Sequence, residues 1–329
     1  MKRIQKPDSR QPGSYRPPAI AGSAVTLALL VLSLMVAASG GLRAAEAARH
    51  FASPELAVQA LESAVTGPDS QAFRPLFGPE AEHLVNPDRV QATNEFRAFA
   101  AAFVEAHRLV PGPDGGRILE LGLARWPFPI PLTQGPEGWS FNAAAGVQEL
   151  LNRRIGQNEL ETLQVLRAYV DAQREYARRD RDGDQVLEFA QRIASSSGRT
   201  DGLYWPVTLT GETSPLGPWV ARAQGEGYFA DPGAPADGPQ PFHGYLFRVL
   251  TRQGRHAPGG KYNYIINGNM IGGFGLLAWP AAYGDSGIMT FIVNQQGIVH
   301  QRDLGPRTAK LVERLQSYDP EPGWEPSRD

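Results

Sequence analysis

The chain has 329 residues, a net charge of −2 with histidine counted as neutral, and no cysteine. This length is sufficient for two domains with ordinary hydrophobic cores. The near-neutral charge and the lack of a basic stripe argue against nucleic acid as a partner. Without cysteine, disulfides, thiol catalysis, cysteine-ligated metals and lipoprotein attachment are excluded, whereas an oxidising compartment remains compatible with the composition.

The first fifty residues predict export. An uncharged apolar run over residues 19–38 follows five basic residues: Lys2, Arg3, Lys6, Arg10 and Arg16. The run is at the threshold for spanning a bilayer, and its basic flank predicts a cytoplasmic N-terminus. Ala45-Glu46-Ala47 offers a cleavage site. Residues 1–47 are therefore interpreted as a signal peptide or a membrane anchor, and the rest is expected in the periplasm or anchored outside the cytoplasm.

Residues 48–155 are predicted to form the first exported domain, of α+β type. Ser53-Pro54-Glu55 predicts a helix start, because it combines an N-cap serine, a first-turn proline and an acid. A further helix is expected from about Asp88 to Ala106. Strands are expected over 117–123 and 139–141, and the proline-rich WPFPIPL run over 126–132 is typical of an extended edge.

Four aromatic residues of this domain leave two interpretations open. Helices followed by strands that carry aromatic residues resemble the cone-shaped domains of the nuclear-transport-factor-two-like superfold. Such cones often hold small ligands, so the four side chains either line a ligand pocket or fill the core. They are Trp126, Phe128, Trp139 and Phe141.

A long amphipathic helix is predicted to open the second domain, residues 156–329. Asn158 with Glu161 three positions later matches a capping box, so the helix is expected to begin there and to reach about Arg179. Apolar residues at three- and four-residue spacing form one stripe. The stripe consists of Leu160, Leu163, Val165, Leu166, Tyr169 and Val170.

An acidic cluster follows the helix and is a candidate Ca²⁺ site. Asp180, Asp182 and Asp184 match the first, third and fifth positions of an EF-hand loop, and Glu188 matches the ninth. The sixth position, normally glycine, is Gln185. The alternative is a polar turn in which the aspartates bind nearby backbone N–H groups. No other cofactor is expected.

The remainder of the second domain predicts a long helix packed on a four-stranded antiparallel sheet, as a two-layer α+β sandwich. A loop-rich stretch over 195–240 precedes the strands, which are expected over 242–250, 262–266 with its continuation over 272–280, 288–294 and 298–303. Asn267-Gly268 predicts a hairpin turn and Gln296-Gly297 another. A short closing helix is expected over 307–315.

Several of these runs resemble domain-of-unknown-function family 2950, a bacterial group of exported proteins without an established activity. The matching runs are HGYLFRVL at 243–250, residues 267–305, YVDAQREYARRDRDGD at 169–184, DGLYWP at 201–206, WPFPIPL at 126–132 and RRIGQNELETL at 153–163. The family usually has glycine where this chain has Gln185, which weakens the calcium hypothesis. The second domain is also distantly similar to the globular part of type IV pilins and pseudopilins.

The sequence contains no arrangement that predicts an enzyme class. Gly284-Asp285-Ser286-Gly287 resembles a protease nucleophile loop, but a tight turn between strands is expected there. His243 and His300 are expected in strands, without metal-ligand spacing. The favoured hypothesis is a non-enzymatic envelope scaffold or interaction protein that meets the membrane through residues 19–38. The alternatives are a small-ligand-binding or catalytic module that uses the aromatic pocket, and a calcium-dependent interaction module.

Overall fold

The computed structural model describes residues 47–67, 70–84, 86–228 and 241–327. The apolar run over 19–38 and the residues Ala45 and Glu46 lie outside this part of the chain. Within it, no helix has both the length and the apolar character needed to cross a bilayer. The described residues form an α+β fold, as expected from the sequence.

Three helices open the fold: α1 (Pro54–Thr66), α2 (Arg74–Phe77) and α3 (Arg89–Glu105), with 3₁₀ turns over 70–73 and 78–84. The Ser53 hydroxyl accepts a hydrogen bond from the Leu56 N–H at 3.3 Å, and Asp88 caps α3 in the same way. Both predicted helix starts are therefore confirmed, because each carries the side chain that satisfies its first free N–H groups.

The first sheet is antiparallel, with the order β1-β2-β4-β5 and β3 paired to β2. The proline-rich run contributes the two-residue β3 and the first residue of β4, as its missing N–H donors predicted. The strand β1 has no counterpart in the sequence-based prediction. The strands are β1 (His107–Pro111), β2 (Arg117–Leu121), β3 (Trp126–Pro127), β4 (Leu132–Gly135) and β5 (Gly138–Phe141).

The predicted start of the long helix is wrong. The helix α4 (Ala143–Tyr176) spans 34 residues, and Asn142 caps it by accepting from the Ala145 N–H at 3.1 Å. Asn158 lies in the middle of α4 and is only 1 % exposed. Its side-chain amide forms hydrogen bonds with residues distant in sequence, and it does not cap a helix. The helix therefore continues across position 155/156, where the sequence suggested a domain boundary.

The second sheet has five antiparallel strands in the order β14-β13-β12-β11-β6, and the prediction of four strands missed the two-residue β14. The described part of the stretch predicted to be loop-rich also contains two helices. The elements after α4 are α5 (Val207–Thr210), α6 (Gly217–Glu226), β6 (Tyr245–Leu250), β7 (Arg252–Gln253), β8 (Tyr262–Asn263), β9 (Ile265–Ile266), β10 (Asn269–Met270), β11 (Gly275–Pro280), β12 (Met289–Asn294), β13 (His300–Asp303), α7 (Thr308–Val312) and β14 (Glu325–Pro326).

Both faces of this sheet are covered, so the second unit has three layers rather than the predicted two. One face, which includes Leu276 and Phe291, packs against α4. The other face, which includes Leu277 and Ile292, packs against a layer formed by α7 and the C-terminal residues. Near-continuous apolar runs in β11 and β12 are typical of strands buried on both sides.

The segment over 262–266 forms two small hairpins instead of joining the main sheet. β8 pairs with β7, and β9 pairs with β10 across the predicted Asn267-Gly268 turn. Asn267 and Gly268 both have positive φ, at 52° and 96°, as a type I′ turn requires. The hairpin prediction is confirmed, and this hairpin becomes the neighbour of the acidic cluster.

The helix α4 belongs to two hydrophobic cores. Its first turns, with Leu150, complete the core of the first unit. Its last turns, with Leu163 and Leu166, belong to the core under the second sheet. Leu160, predicted in the apolar stripe, is exposed instead. The middle of α4 contributes buried polar side chains, which mark the junction between the two units.

Candidate functional site

The acidic turn brings three of its four predicted ligands together. Oxygen atoms of Asp180, Asp182 and Asp184 lie within 4.8 Å of one another. Ca²⁺–oxygen distances of about 2.3–2.6 Å allow two ligands of one ion to be this far apart. Glu188 is not in this group, because its carboxylate accepts a hydrogen bond from the Met270 N–H at 3.0 Å. The three aspartates could therefore share a cation, and Glu188 secures the β9–β10 hairpin.

The turn also satisfies itself without a metal. The two Asp180 oxygens accept from the Gly183 and Gln185 N–H groups at 2.7 and 2.8 Å. These backbone donors hold the pKa of Asp180 below its usual value. Gln185 has φ of 69°, the left-handed conformation that glycine normally supplies at this position of the loop. The backbone thus has the conformation of a loop with glycine at this position, although the Gln185 side chain disfavours a positive φ.

A polar cavity of about 610 Å³ adjoins the turn. Asp182, Glu188 and Arg181 line it, and the Arg181 guanidinium lies over the rings of Tyr176 and Trp205, at 4.8 and 4.9 Å from their centroids. Burial raises the pKa of Glu188, and the neighbouring aspartate charges raise it further. The cavity therefore offers a mixture of charges of both signs.

A second polar cluster, the junction network, connects the two units through α4. Gln91 of α3 donates to the Asn158 side chain at 3.2 Å, and Asn158 donates to the Ser286 carbonyl at 2.8 Å. The Tyr228 hydroxyl donates to Asp88 at 2.6 Å. The network thus joins the first unit, α4, the end of α6 and the 284–287 turn. Its members are Asp88, Gln91, Glu95, Arg154, Asn158, Tyr228, Asp285 and Ser286.

An ion-pair chain extends the contacts of α4 to α6. Arg222 donates to both Glu161 oxygens at 3.1 and 3.0 Å and to Glu226 at 2.9 Å. His243 lies 3.0 Å from the other Glu226 oxygen. Burial would raise the pKa of Glu226, but the bonds and charges of His243 and Arg222 outweigh it and lower the pKa. His243 lies in a turn with φ of 46°, so its predicted strand position is wrong.

Glu95 is a carboxyl group of the junction network whose pKa is raised well above its usual value. Its carboxyl accepts a hydrogen bond from the Asn86 amide at 3.2 Å. The charge of Arg154 in α4 lowers its pKa, and the charge of Asp88 raises it. Burial raises the pKa of Glu95 to about 8, against the opposing effect of the Asn86 bond and the Arg154 charge. The network therefore contains a carboxyl group that is mainly protonated at neutral pH.

Replacing Arg154 with methionine is expected to lower the free energy of unfolding by about 2 kcal/mol, the range for charge-assisted hydrogen bonds. Arg154 is 1 % exposed and forms an ion pair with Asp285. Urea unfolding measures the change. A matched control is Arg153→Met, one position along α4, whose ion pair with Glu149 is more exposed. An equal loss in both variants would contradict a special role for the junction.

The predicted Gly284–Gly287 turn is present. The Gly284 N–H donates to the Gly287 carbonyl at 2.9 Å, and the Ser286 hydroxyl donates to the Ala282 carbonyl at 3.1 Å. Asp285 pairs with Arg154 instead of orienting a base. Among the described residues, the nucleophile candidate thus takes part in holding the turn and the junction together.

The four aromatic residues proposed for a ligand pocket fill the core of the first unit. The ring centroid of Phe128 lies 5.5 Å from that of Phe99 and 6.3 Å from that of Phe141. Trp126 is also buried. Trp139 is buried at the same core. The pocket interpretation is therefore wrong at these residues, because ring-on-ring packing takes up the space between them.

The junction network was missed from the sequence, although one signal for it exists. Arg154, Asn158 and Glu161 follow the helical period and continue the line of Leu166 and Tyr169, which face the core. Polar residues in phase with an apolar stripe indicate buried polar contacts. Their partners outside α4, however, lie between 61 and 131 positions away in the chain.

The geometry defines an α+β protein whose two cores share one continuous helix, with a polar junction at its middle. The chain belongs to the family described as "Protein of unknown function (DUF2950)", whose model matches residues 48–326. The family resemblance drawn from the sequence is confirmed. No curated protein and no solved structure matches the chain, and the resemblance to type IV pilins is not shown.

Proposed function

We propose that this chain is an exported cell-envelope protein that serves as a non-enzymatic scaffold or interaction module. The observation that carries the proposal is the continuity of α4 (Ala143–Tyr176) through two hydrophobic cores. A helix of this length extends about 50 Å at 1.5 Å per residue. Shared by both cores, it holds two surfaces at a fixed separation, which is the property that a scaffold needs.

The bonding of the candidate catalytic groups supports this function. Ser286 and Asp285 hold the turn and the junction, and the His300 ring lies 3.2 Å from the Tyr318 hydroxyl. The basic N-terminus and the apolar run over 19–38 support export. The candidate catalytic side chains thus have structural partners, and the N-terminal segment has a targeting role. Both suit a non-catalytic envelope protein.

Export is tested with β-lactamase fused to the C-terminus of the full chain. We expect ampicillin resistance, because the enzyme protects cells only outside the cytoplasm. A matched fusion carrying Leu30→Arg and Leu32→Arg places charges in the apolar run and is expected to lose the resistance. Resistance that survives these charges, or a native fusion that gives none, would overturn the export proposal.

The interaction role is tested by cross-linking intact cells and purifying the tagged chain from membranes. We expect one envelope protein to be recovered repeatedly and identified by mass spectrometry. The matched control is the same purification without cross-linker. Recovery of no partner, together with turnover of a substrate by the purified chain, would contradict the scaffold function.

The calcium hypothesis stays a prediction. With a Kd of about 1 mM, typical of extracellular calcium modules, 10 mM Ca²⁺ would stabilise the chain by about 1.4 kcal/mol. Calorimetric titration and melting curves measure this. Asp182→Asn, which removes one of the three converging carboxylates, is expected to weaken binding. The hypothesis fails if calcium produces neither heat nor a shift in melting temperature.

A further inference from the structure

An apolar cavity of about 230 Å³ lies between α4, α6 and the second sheet. It is separate from the acidic turn and from the core of the first unit. Its walls come from three elements that the fold holds in place. Residues from these walls include Val165 and Tyr169 of α4, Trp219 and Ala223 of α6, and Phe242 and Phe247 beside the sheet.

The walls offer a ligand almost only apolar contact. Trp219 and Phe247 are half-buried and pack against the second core, so part of each ring faces the cavity or solvent. The Tyr169 hydroxyl is already engaged, because it donates to the Gly275 carbonyl at 3.1 Å and accepts from Gln173 at 2.9 Å. An occupant would therefore be held by burial of hydrocarbon surface.

The size of the cavity limits the occupant. An engineered protein cavity of about 150 Å³ holds benzene, so 230 Å³ in proportion holds about nine carbon atoms. This corresponds to one aromatic ring with a short alkyl chain, or to an alkyl chain of similar length. A longer chain would extend out of this space.

Charged side chains near the cavity determine which head group a bound ligand can carry. Glu161 lies one helical turn before Val165, and Arg222 and Glu226 follow Trp219 and Ala223 by three positions. Such spacing puts side chains on the same helix face. Arg222 already bonds to both carboxylates. Among the described residues, a negatively charged head group would therefore meet the carboxylates of Glu161 and Glu226, whose partners Arg222 and His243 already contact them.

We propose that this cavity is a binding site for a small, uncharged molecule with an apolar body of about nine carbon atoms and a neutral polar end. The ligand contacts Trp219, Phe242 and Phe247 and leaves its neutral polar end toward the Arg222 ion pairs. This site is independent of the scaffold function, so failure of either proposal leaves the other standing.

The test is titration calorimetry of the full chain with 4-phenylbutan-1-ol and with 4-phenylbutyrate, which differ in the charge of the head group. We expect the alcohol to bind in a saturable 1:1 manner, and at least tenfold more tightly than the acid. No saturable binding of the alcohol would overturn the site. Equal binding of the two probes would overturn the selection by charge.

Two variants that fill the cavity from opposite walls locate the binding. Ala223→Leu acts from α6 and Ala168→Leu from α4, and each is expected to weaken binding of the alcohol at least tenfold. The matched control Ala144→Leu adds the same side chain at an exposed position of α4 and is expected to bind like the native chain. If one filling variant fails to fold, the other still decides. Native affinity in a folded filling variant would contradict the location.

Discussion

Replacing Gly156 with proline is expected to lower the free energy of unfolding by about 3 kcal/mol or more, because proline inside a helix removes a backbone hydrogen bond and clashes with the preceding turn. Gly156 lies near the middle of α4, between the turns that enter the two cores. If the helix began at Asn158, as the sequence suggested, proline at position 156 would precede the helix and cost little. Urea unfolding followed by circular dichroism separates these outcomes.

The matched control is Gly156→Ala. Apart from the adjacent backbone of α4 itself, no atom of the described residues lies within 4 Å of a Cβ placed at this position, so alanine fits without a clash. Alanine is favoured over glycine in a helix interior by about 0.5–1 kcal/mol, and the variant is expected to gain that stability. A neutral proline variant, or an alanine variant that loses stability, would contradict a continuous helix at this position.

The stability of the chain is expected to fall as pH rises from about 5 to 8, because of Glu95. Its pKa is raised from 4.5 to about 8 in the folded chain, so the folded state holds a proton that the unfolded state has released in this range. One proton gives a slope of up to about 1.4 kcal/mol per pH unit, and a few kcal/mol in total. The charges that act on Glu95 are Arg154 of α4 and Asp88.

Glu95→Gln isolates this effect from other titrating groups, since an amide of similar shape carries no proton to release. Urea unfolding at several pH values compares it with the native chain. The two proteins are expected to have similar stability near pH 5, and the variant is expected to be the more stable above pH 8. Parallel stability curves from pH 5 to 9 would show that Glu95 titrates normally.

Local signals in the sequence predicted local structure well. Ser53 and Asp88 mark helix starts, and Asn267-Gly268 marks a hairpin, because each depends on a few neighbouring residues. The start of α4 was missed because Asn158 matches a cap equally well, and only its tertiary partners show that it is buried inside the helix. Similarly, Gly217-Pro218 suggests a loop, although proline at a first turn also suits α6.

The candidate sites were predictable only in part. Alternating aspartates indicated that Asp180, Asp182 and Asp184 converge, since they lie in one short turn. The position of Glu188 depends on the β9–β10 hairpin, more than eighty positions away, and was not predictable. The cavity between α4 and α6 likewise depends on how separate elements pack, and single-sequence periodicity does not report this.

A distance between the two ends of α4 tests most directly whether one continuous helix connects the two cores. The chain has no cysteine, so spin labels attach only to the two cysteines introduced by Gln148→Cys and Asp171→Cys. Double electron–electron resonance is expected to give one narrow distribution near 35 Å, from 1.5 Å per residue. A broad distribution, or a distance shorter by several ångströms, would show that the helix breaks between the cores.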